Sequence, residues 1–215
     1  MKLSKRMSRL GTETAFEVLA KAKALEAQGH EIIHLEIGEP DFDTPLNVVE
    51  AGVTALRGGH THYTPAAGIL PLRQAIADEV ATTRGIPVHP DQVVVVPGGK
   101  PIMFFALLAL CEAGDEVIYP NPGFPIYESM INFAGAKAVP IPLRMENDFG
   151  LDVDELASLV TDRTKLIILN SPANPTGGVV SAEQLARVAE VAQARGIPVL
   201  SDEIYCRLLY DDTFA

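Results

Sequence analysis

The sequence predicts an α/β protein built around a mostly parallel β-sheet. Short apolar runs alternate along the chain with segments of helical periodicity. The runs at 93–96 and 166–169 are wholly aliphatic, which is typical of strands buried on both faces. Turn residues follow the runs, and a helical segment begins soon afterwards. This alternation predicts βαβ units, in which a helix connects one parallel strand to the next.

The first ninety residues are predicted to be mainly helical. Apolar residues recur at helical spacing, and Gly29 and Gly85 stand where the first and third helices should end. A short extended segment is expected over 31–37. The helices are expected over 10–28, 47–56 and 71–84.

Strands and helices alternate from residue 93 onward. Ser181 is expected to cap one helix and Gly196 to end it, and Asp152 and Glu155 have the spacing of a capping box. Strands are expected over 93–96, 116–119, 136–141, 166–169 and 198–201. Helices are expected over 101–111, 125–133, 151–160 and 181–195. The apolar segment 101–111 is about half of the ~20 residues that a membrane span needs, so we expect a fully buried helix there.

Composition and charge argue against several classes of protein. The chain is 47% hydrophobic and carries a formal net charge of -11, which disfavours binding to nucleic acid or an anionic membrane. No apolar stretch follows the basic start, so no signal peptide is expected. Cys111 and Cys206 indicate reduced thiols rather than a disulfide framework. We therefore expect a cytoplasmic protein with neither nucleic acid nor a membrane as partner.

A glycine pair is predicted at the carboxyl end of a strand, the edge where parallel sheets bind ligands. Gly98 and Gly99 precede a helix start, where free N–H groups and the helix dipole suit a phosphate, and Lys100 adds positive charge. The loop lacks the Walker A and dinucleotide-binding patterns. Taken alone, a plain turn is the simpler explanation.

Further polar and aromatic residues follow other predicted strands. Asp202 ends an apolar strand, where a carboxylate is costly to desolvate unless a cation or hydrogen-bond donor meets it. A protonated ring nitrogen would be such a partner. Asn174 lies in a proline-punctuated loop, and Phe124 and Tyr205 offer aromatic rings. Singly, each residue also fits an ordinary role as a cap, a turn residue or a core ring.

Six short sequence motifs, taken together, indicate a protein family far more specifically than any one of them does. They are 38–42, 63–68, 97–100, Phe124, 174–177 and 202–205. Their order and spacing resemble the class I/II aminotransferases, which are pyridoxal 5′-phosphate enzymes of fold type I, and most closely their aspartate-aminotransferase-like branch. The resemblance extends over essentially the whole chain.

This resemblance implies a fold, a cofactor and a reaction. The fold is a three-layer α/β sandwich, with an N-terminal arm and part of a small domain over 1–45 and an incomplete large domain over 46–215. The cofactor is pyridoxal 5′-phosphate, and the reaction moves an amino group between an amino acid and a 2-oxo acid. A homodimer is implied for the full-length protein, and no metal is implied.

The cofactor ring is assigned four residues by the resemblance. Asp202 would pair with the pyridine nitrogen. Asn174 and Tyr205 would hydrogen-bond the ring hydroxyl. Phe124 would stack on the ring, at a position where the family often has tyrosine or tryptophan.

The resemblance assigns the remaining matched residues to the cofactor phosphate and the substrate. Gly98, Gly99 and Lys100 would hold the phosphate, and Tyr63 would reach the phosphate of a neighbouring subunit. Gly38, together with Asn174, would meet the substrate carboxylate.

The lysine that forms the Schiff base with the cofactor is not found after Asp202. The last lysine of the sequence is Lys165, Lys100 belongs to the phosphate loop, and Lys5 stands near the wrong end. We therefore expect the N-terminal portion of a longer enzyme, inactive by itself, with the Schiff-base lysine beyond Ala215.

Alternatives stay open from the sequence. Another fold type I enzyme, such as a carbon–sulfur lyase, decarboxylase or cyclase, would use the same cofactor-binding residues. A non-catalytic protein that kept the fold without the lysine is a second alternative, and a nucleotide-binding α/β domain is a third. His60 and His62 without further ligands do not predict a metal site. The residues do not identify the substrate amino acid.

Overall fold

The computed structural model describes residues 2–11 and 14–210 of the 215-residue chain. The chain divides into two compact units, one of Met1–Glu13 with Ile102–Ala215 and the other of Thr14–Pro101. The division at residue 45 into parts of a small and a large domain stays a prediction.

A parallel four-stranded sheet forms the centre of the first unit. Its strands are β1 (Glu116–Asn121), β2 (Lys137–Pro142), β3 (Thr164–Asn170) and β4 (Val199–Asp202), in the spatial order β2-β1-β3-β4. Each neighbouring pair is parallel. The predicted α/β class with a mostly parallel sheet is therefore confirmed.

Helices cover both faces of this sheet. They are α4 (Lys100–Leu110), α5 (Ile126–Ala134), α6 (Val153–Leu159) and α7 (Ala182–Arg195). Ile167 of β3 packs in an apolar cluster with residues of α6 and α7, whereas the next residue, Ile168, packs with residues of α4 and α5. Because successive strand residues point to opposite faces, this alternation produces three layers. Full burial of a side chain such as Ile167 contributes about 2–3 kcal/mol to folding.

Local capping determines both ends of α7, as the sequence predicts. The Ser181 Oγ accepts the Gln184 N–H at 3.2 Å, and the Gln184 Oε1 accepts the Ser181 N–H at 2.8 Å. Gly196 ends the helix with φ of 63°, in the left-handed region that favours glycine.

The second unit contains the helices predicted before residue 90. They are α1 (Thr14–Glu26), α2 (Leu46–Arg57) and α3 (Leu70–Arg84). The first was expected to begin at Leu10, but Leu10 instead follows a separate 3₁₀ helix over Lys5–Arg9 as its C-cap. Residues 12 and 13 of the predicted helix lie outside the described residues.

The strand predicted at 93–96 is absent, so that prediction is wrong. Val94 is 62% exposed, and the Val95 N–H donates to the Ala67 carbonyl rather than to a ladder. A strand needs a neighbour to complete its backbone hydrogen bonds. Residues 14–101 include no other strand that could pair with this segment. The aliphatic residues of this run therefore have a high propensity for strands, but no second strand is present within residues 14–101 to pair with them.

The apolar helix α4 is buried on one side only, so the prediction of a fully buried helix is also wrong. Met103 and Leu107 pack into the core, whereas Ile102, Phe105 and Leu108 are 51%, 56% and 49% exposed. A helix that lies on a sheet meets it along one stripe, and the opposite side then has no neighbour within this layer.

A buried carboxylate lies at the amino end of β1. Glu116 is 1% exposed, and its oxygens accept hydrogen bonds from the Thr161 hydroxyl at 2.7 Å, Arg163 Nη2 at 2.8 Å and Lys137 Nζ at 3.1 Å. These donors lower the pKa of Glu116 to about 2, with Thr161 the largest influence. The cluster stands at the edge of the sheet opposite to the strand ends where ligands bind.

Across residues 2–11 and 14–210, no helix has the length and apolar character needed to cross a membrane.

Candidate functional site

The carboxyl ends of β3 and β4 lie side by side. Asn170 is the last residue of β3 and is paired in register with Asp202, the last residue of β4. Asp202 is partly buried. The strands therefore bring the predicted carboxylate to the edge where parallel sheets bind ligands.

A buried tyrosine holds the Asp202 side chain. The Tyr127 hydroxyl donates to Asp202 Oδ2 at 2.6 Å, and the Ile204 N–H donates to Asp202 Oδ1 at 3.3 Å. Tyr127 is 0% exposed, and its burial, followed by its hydrogen bond to Asp202, raises the pKa of its phenol. The phenol therefore stays protonated and donates to the carboxylate.

The same tyrosine brings three predicted site residues together. The Phe124 ring meets the Tyr127 ring edge-on, with centroids 5.9 Å apart and planes at 88°. The Tyr205 phenol adds an electrostatic effect that raises the pKa of Tyr127 further. Tyr127 thus connects Phe124, which packs on its ring, with Asp202, which accepts its hydroxyl, and Tyr205 lies close enough to influence its phenol.

A buried asparagine joins the two loops at this edge. Asn170 is 5% exposed, its Nδ2 donates to the Asp202 carbonyl at 3.1 Å, and its Oδ1 accepts the Asn174 N–H at 2.8 Å. The Ser171 N–H also donates to the Asp202 carbonyl, at 3.2 Å. These bonds hold the loop after β3 against the end of β4.

The loop that carries Asn174 is closed on itself. The Ala173 N–H donates to the Gly178 carbonyl at 2.9 Å, and the Gly177 N–H donates to the Ala173 carbonyl at 2.7 Å. Within residues 14–210, the Asn174 side-chain amide makes no hydrogen bond. The loop is therefore held by its backbone, and the amide is left to bind a ligand.

The polar groups of this edge fit a pyridine ring that carries a hydroxyl. Asp202 offers a carboxylate oriented by Tyr127, which suits a protonated ring nitrogen. The Asn174 amide suits a ring hydroxyl. So does the Tyr205 hydroxyl, which has no hydrogen-bond partner in the part of the chain that the structure describes. These acceptors and donors are therefore of the types that suit the cofactor implied by the resemblance.

The remaining predicted residues belong to the second unit. Gly98 has φ of 86° and, with Gly99, directly precedes α4, at whose first position Lys100 lies. A Cβ on Gly98 or Gly99 would meet nothing within 4 Å, so the backbone of this turn is open to a ligand. Tyr63 and Gly38 are exposed. Their assignment to the phosphate, a neighbouring subunit and the substrate stays a prediction.

Metal-ligating groups are not clustered in the described ranges 2–11 and 14–210. His60 and His62 lie in a loop, and no three His, Cys, Asp or Glu side chains there come close enough to hold an ion.

Sequence reasoning missed Tyr127 and Asn170. Tyr127 looks like one more apolar residue of α5, and Asn170 looks like the polar end of a strand. The available signal was their position, because each lies within four residues of a residue that was predicted. Their partners, however, are set by the tertiary fold.

Comparison with known proteins identifies the class of this α/β fold. The model of the family "Aminotransferase class I and II" matches residues 30–215. The chain belongs to this family.

Individual relatives agree with this result. The chain is 41% identical over 98% of its length to a probable aspartate/prephenate aminotransferase of Aquifex aeolicus, and 39% identical over 98% to an aspartate aminotransferase of Bacillus subtilis. It covers 53% of each of these relatives, so it spans about half their length.

A solved structure confirms the fold. The aspartate aminotransferase of Thermus thermophilus, solved with maleate, superposes with a TM-score of 0.96 at 39% identity. The match covers 100% of this chain and 56% of that one. The predicted membership of the family and the predicted fold are therefore confirmed.

Proposed function

We propose that the chain forms the cofactor-binding part of a pyridoxal-phosphate-dependent aminotransferase, which moves an amino group between an amino acid and a 2-oxo acid. The observation that carries this proposal is the Asp202 carboxylate at the end of β4, oriented by Tyr127 and accompanied by Phe124 and Tyr205. Membership of the aminotransferase family supports it.

Asp202 is the residue on which the chemistry depends. Its negative charge would keep the ring nitrogen protonated, since an opposite charge in contact typically raises the pKa of a cation by about 1–3 units. The protonated ring of the bound cofactor acts as an electron sink for the bonds of the substrate α-carbon.

Other residues of the chain hold and orient the ring. The Asn174 amide and the Tyr205 phenol hydrogen-bond the ring hydroxyl, and Phe124 stacks on the ring face. On the family resemblance, Gly98, Gly99 and Lys100 are assigned to the phosphate, and Gly38 and Asn174 to the substrate carboxylate. Tyr63 reaches the phosphate in a neighbouring subunit of a homodimer. The homodimer and a cytoplasmic location are proposed on the family resemblance alone.

Aspartate is the amino acid to assay first. The names of the relatives from Aquifex aeolicus and Bacillus subtilis both include aspartate, and one of them includes prephenate. A dicarboxylic amino acid with a 2-oxo acid acceptor is therefore the substrate class that we propose.

Binding of pyridoxamine 5′-phosphate tests the proposed site directly. This form of the cofactor keeps the ring nitrogen, hydroxyl and phosphate but has no aldehyde, so its binding needs no lysine. The protein should be produced from its complete open reading frame, and the dissociation constant measured by fluorescence titration. We expect Asp202→Ala to weaken binding by about tenfold or more, as loss of a charge-assisted hydrogen bond does.

Asp162→Ala is the matched control. The Asp162 side chain is 98% exposed in its surface pair with Arg195, so its removal should leave binding unchanged. Equal affinity of the Asp202→Ala variant and the unaltered protein would contradict the proposed role of Asp202.

A further inference from the structure

Tyr127 makes a hydrogen bond whose geometry is that of a strong, charge-assisted contact. The separation of its hydroxyl oxygen from Asp202 Oδ2 is 2.6 Å, within the short range typical of an O–H donor to a carboxylate. Tyr127 lies in the first turn of α5, whereas Asp202 ends β4. The bond therefore joins the helical layer to the sheet at its ligand-binding edge.

The two oxygens of Asp202 are bonded unequally. Oδ2 accepts the short bond from the buried phenol, whereas Oδ1 accepts the Ile204 N–H at the longer distance of 3.3 Å. A carboxylate oxygen has room for more than one donor. Oδ1 therefore retains the greater capacity for a further donor, such as a protonated ring nitrogen.

The surroundings of the phenol restrict the Asp202 side chain further. Tyr127 is 0% exposed and its ring packs edge-on against Phe124, so the hydroxyl has little freedom to move. A rigid donor holds its acceptor in one rotamer, and groups held in one geometry bind a ligand with a smaller loss of entropy.

We propose that Tyr127 is a positioning residue, which holds Oδ2 of Asp202 so that Oδ1 faces the ring nitrogen of the cofactor. This inference rests on the cofactor role proposed for Asp202. It adds a residue that acts on the cofactor only through that carboxylate.

Tyr127→Phe isolates the hydroxyl because it keeps the ring and its packing. Tyr119→Phe is the matched control. Tyr119 is also buried, at 6% exposed, but the carboxylate that influences its phenol is Glu128 rather than Asp202: burial, followed by Glu128, raises the pKa of Tyr119. Both variants remove one phenolic oxygen from the interior of the same unit, so they differ mainly in the partner that is lost.

The test is a double-mutant cycle with pyridoxamine 5′-phosphate as the probe, on protein produced from its complete open reading frame. We expect Tyr127→Phe to weaken binding about tenfold, within the range for a hydrogen bond to a charged group. Tyr119→Phe should change the affinity by less than about twofold. In the Asp202→Ala background, Tyr127→Phe should have no further effect, because the hydroxyl then has no carboxylate to position.

Several results would overturn the inference, and they separate it from the proposed function. If Asp202→Ala weakens binding and Tyr127→Phe does not, Tyr127 has no positioning role and the cofactor site stands. If Tyr127→Phe weakens binding equally in both backgrounds, its role is only structural. If Asp202→Ala binds like the unaltered protein, both proposals fail.

A measurement without cofactor keeps the inference testable if Tyr127→Phe does not fold. The phenolic proton of Tyr127 should give a slowly exchanging resonance in the proton NMR spectrum, and Asp202→Ala should abolish it. A spectrum of the unaltered protein without this resonance would refute the hydrogen bond on which the inference depends.

Discussion

Replacement of Glu116 by glutamine tests how a buried charge stabilises the amino end of β1. Glutamine keeps the size of the side chain and one acceptor oxygen, but it removes the negative charge that Arg163 and Lys137 share. Hydrogen bonds to charged groups contribute about 1.5–3 kcal/mol each. Here the Arg163 and Lys137 side chains are 65% and 67% exposed. Water can therefore replace part of the interaction with the carboxylate that they lose. We therefore expect Glu116→Gln to lower the free energy of unfolding by about 2 kcal/mol at pH 7.

The difference between the two proteins should depend on pH. The folded-state pKa of Glu116, about 2, lies below its ordinary value of 4.5. Stabilisation by this charge is therefore complete above pH 4.5 and is lost as the pH falls toward 2. Glu116→Gln has no such charge to lose, so the gap between variant and unaltered protein should narrow over that interval.

Urea unfolding, followed by circular dichroism at pH 7 and at steps down to pH 3, measures both effects. Asp162→Asn is the control, because the Asp162 side chain is 98% exposed in its pair with Arg195, and such exposed ion pairs contribute little. The reasoning is refuted if both variants lose the same stability at pH 7. It is also refuted if the Glu116→Gln difference stays constant as the pH falls.

Two further predictions concern a glycine and the missing lysine. Gly68 has φ of 101°, and a Cβ there would lie 2.8 Å from Val95 Cγ2, so Gly68→Ala should destabilise the protein by about 1–3 kcal/mol in urea unfolding. A Cβ on Gly52, in α2, would meet nothing within 4 Å, so Gly52→Ala should instead stabilise the protein by about 0.5–1 kcal/mol. Equal effects of the two substitutions on the free energy of unfolding would contradict the explanation from φ and the close contact. The 215-residue chain mixed with pyridoxal phosphate, aspartate and a 2-oxo acid should transfer no amino groups, because no lysine follows Lys165. Turnover above the protein-free rate would show that reasoning to be wrong.

Elements with local signals could be predicted from the sequence. The cap at Ser181 and the stop at Gly196 involve residues within one turn of each other, so their spacing alone predicts the ends of α7. The capping box expected at Asp152 is only half formed. Asp152 Oδ1 accepts the Glu155 N–H at 3.0 Å, but the Glu155 side chain turns to Arg144, eleven residues earlier. Glu155 therefore binds the distant Arg144 side chain instead of the nearby backbone N–H of Asp152.

Features that depend on distant partners could not be predicted. The run at 93–96 has strand propensity but no neighbouring strand to pair with, and α4 is apolar all round yet buried along one stripe. The candidate site also depends on contacts between residues that are distant in the chain. Asp202 was predicted from its place after an apolar strand, whereas the donor that orients it, Tyr127, lies 75 residues earlier in the chain. No spacing rule connects two such positions before the fold is known.

The protonation state of the bound ring nitrogen tests the role of Asp202 most directly. Pyridoxamine 5′-phosphate labelled with ¹⁵N in the ring can be bound to the protein at pH 8 and examined by NMR. The chemical shift of the bound nitrogen should be that of a protonated pyridinium in the unaltered protein and that of a neutral pyridine in the Asp202→Ala variant. A neutral ring nitrogen in the unaltered protein, with the cofactor bound, would contradict the assignment of Asp202.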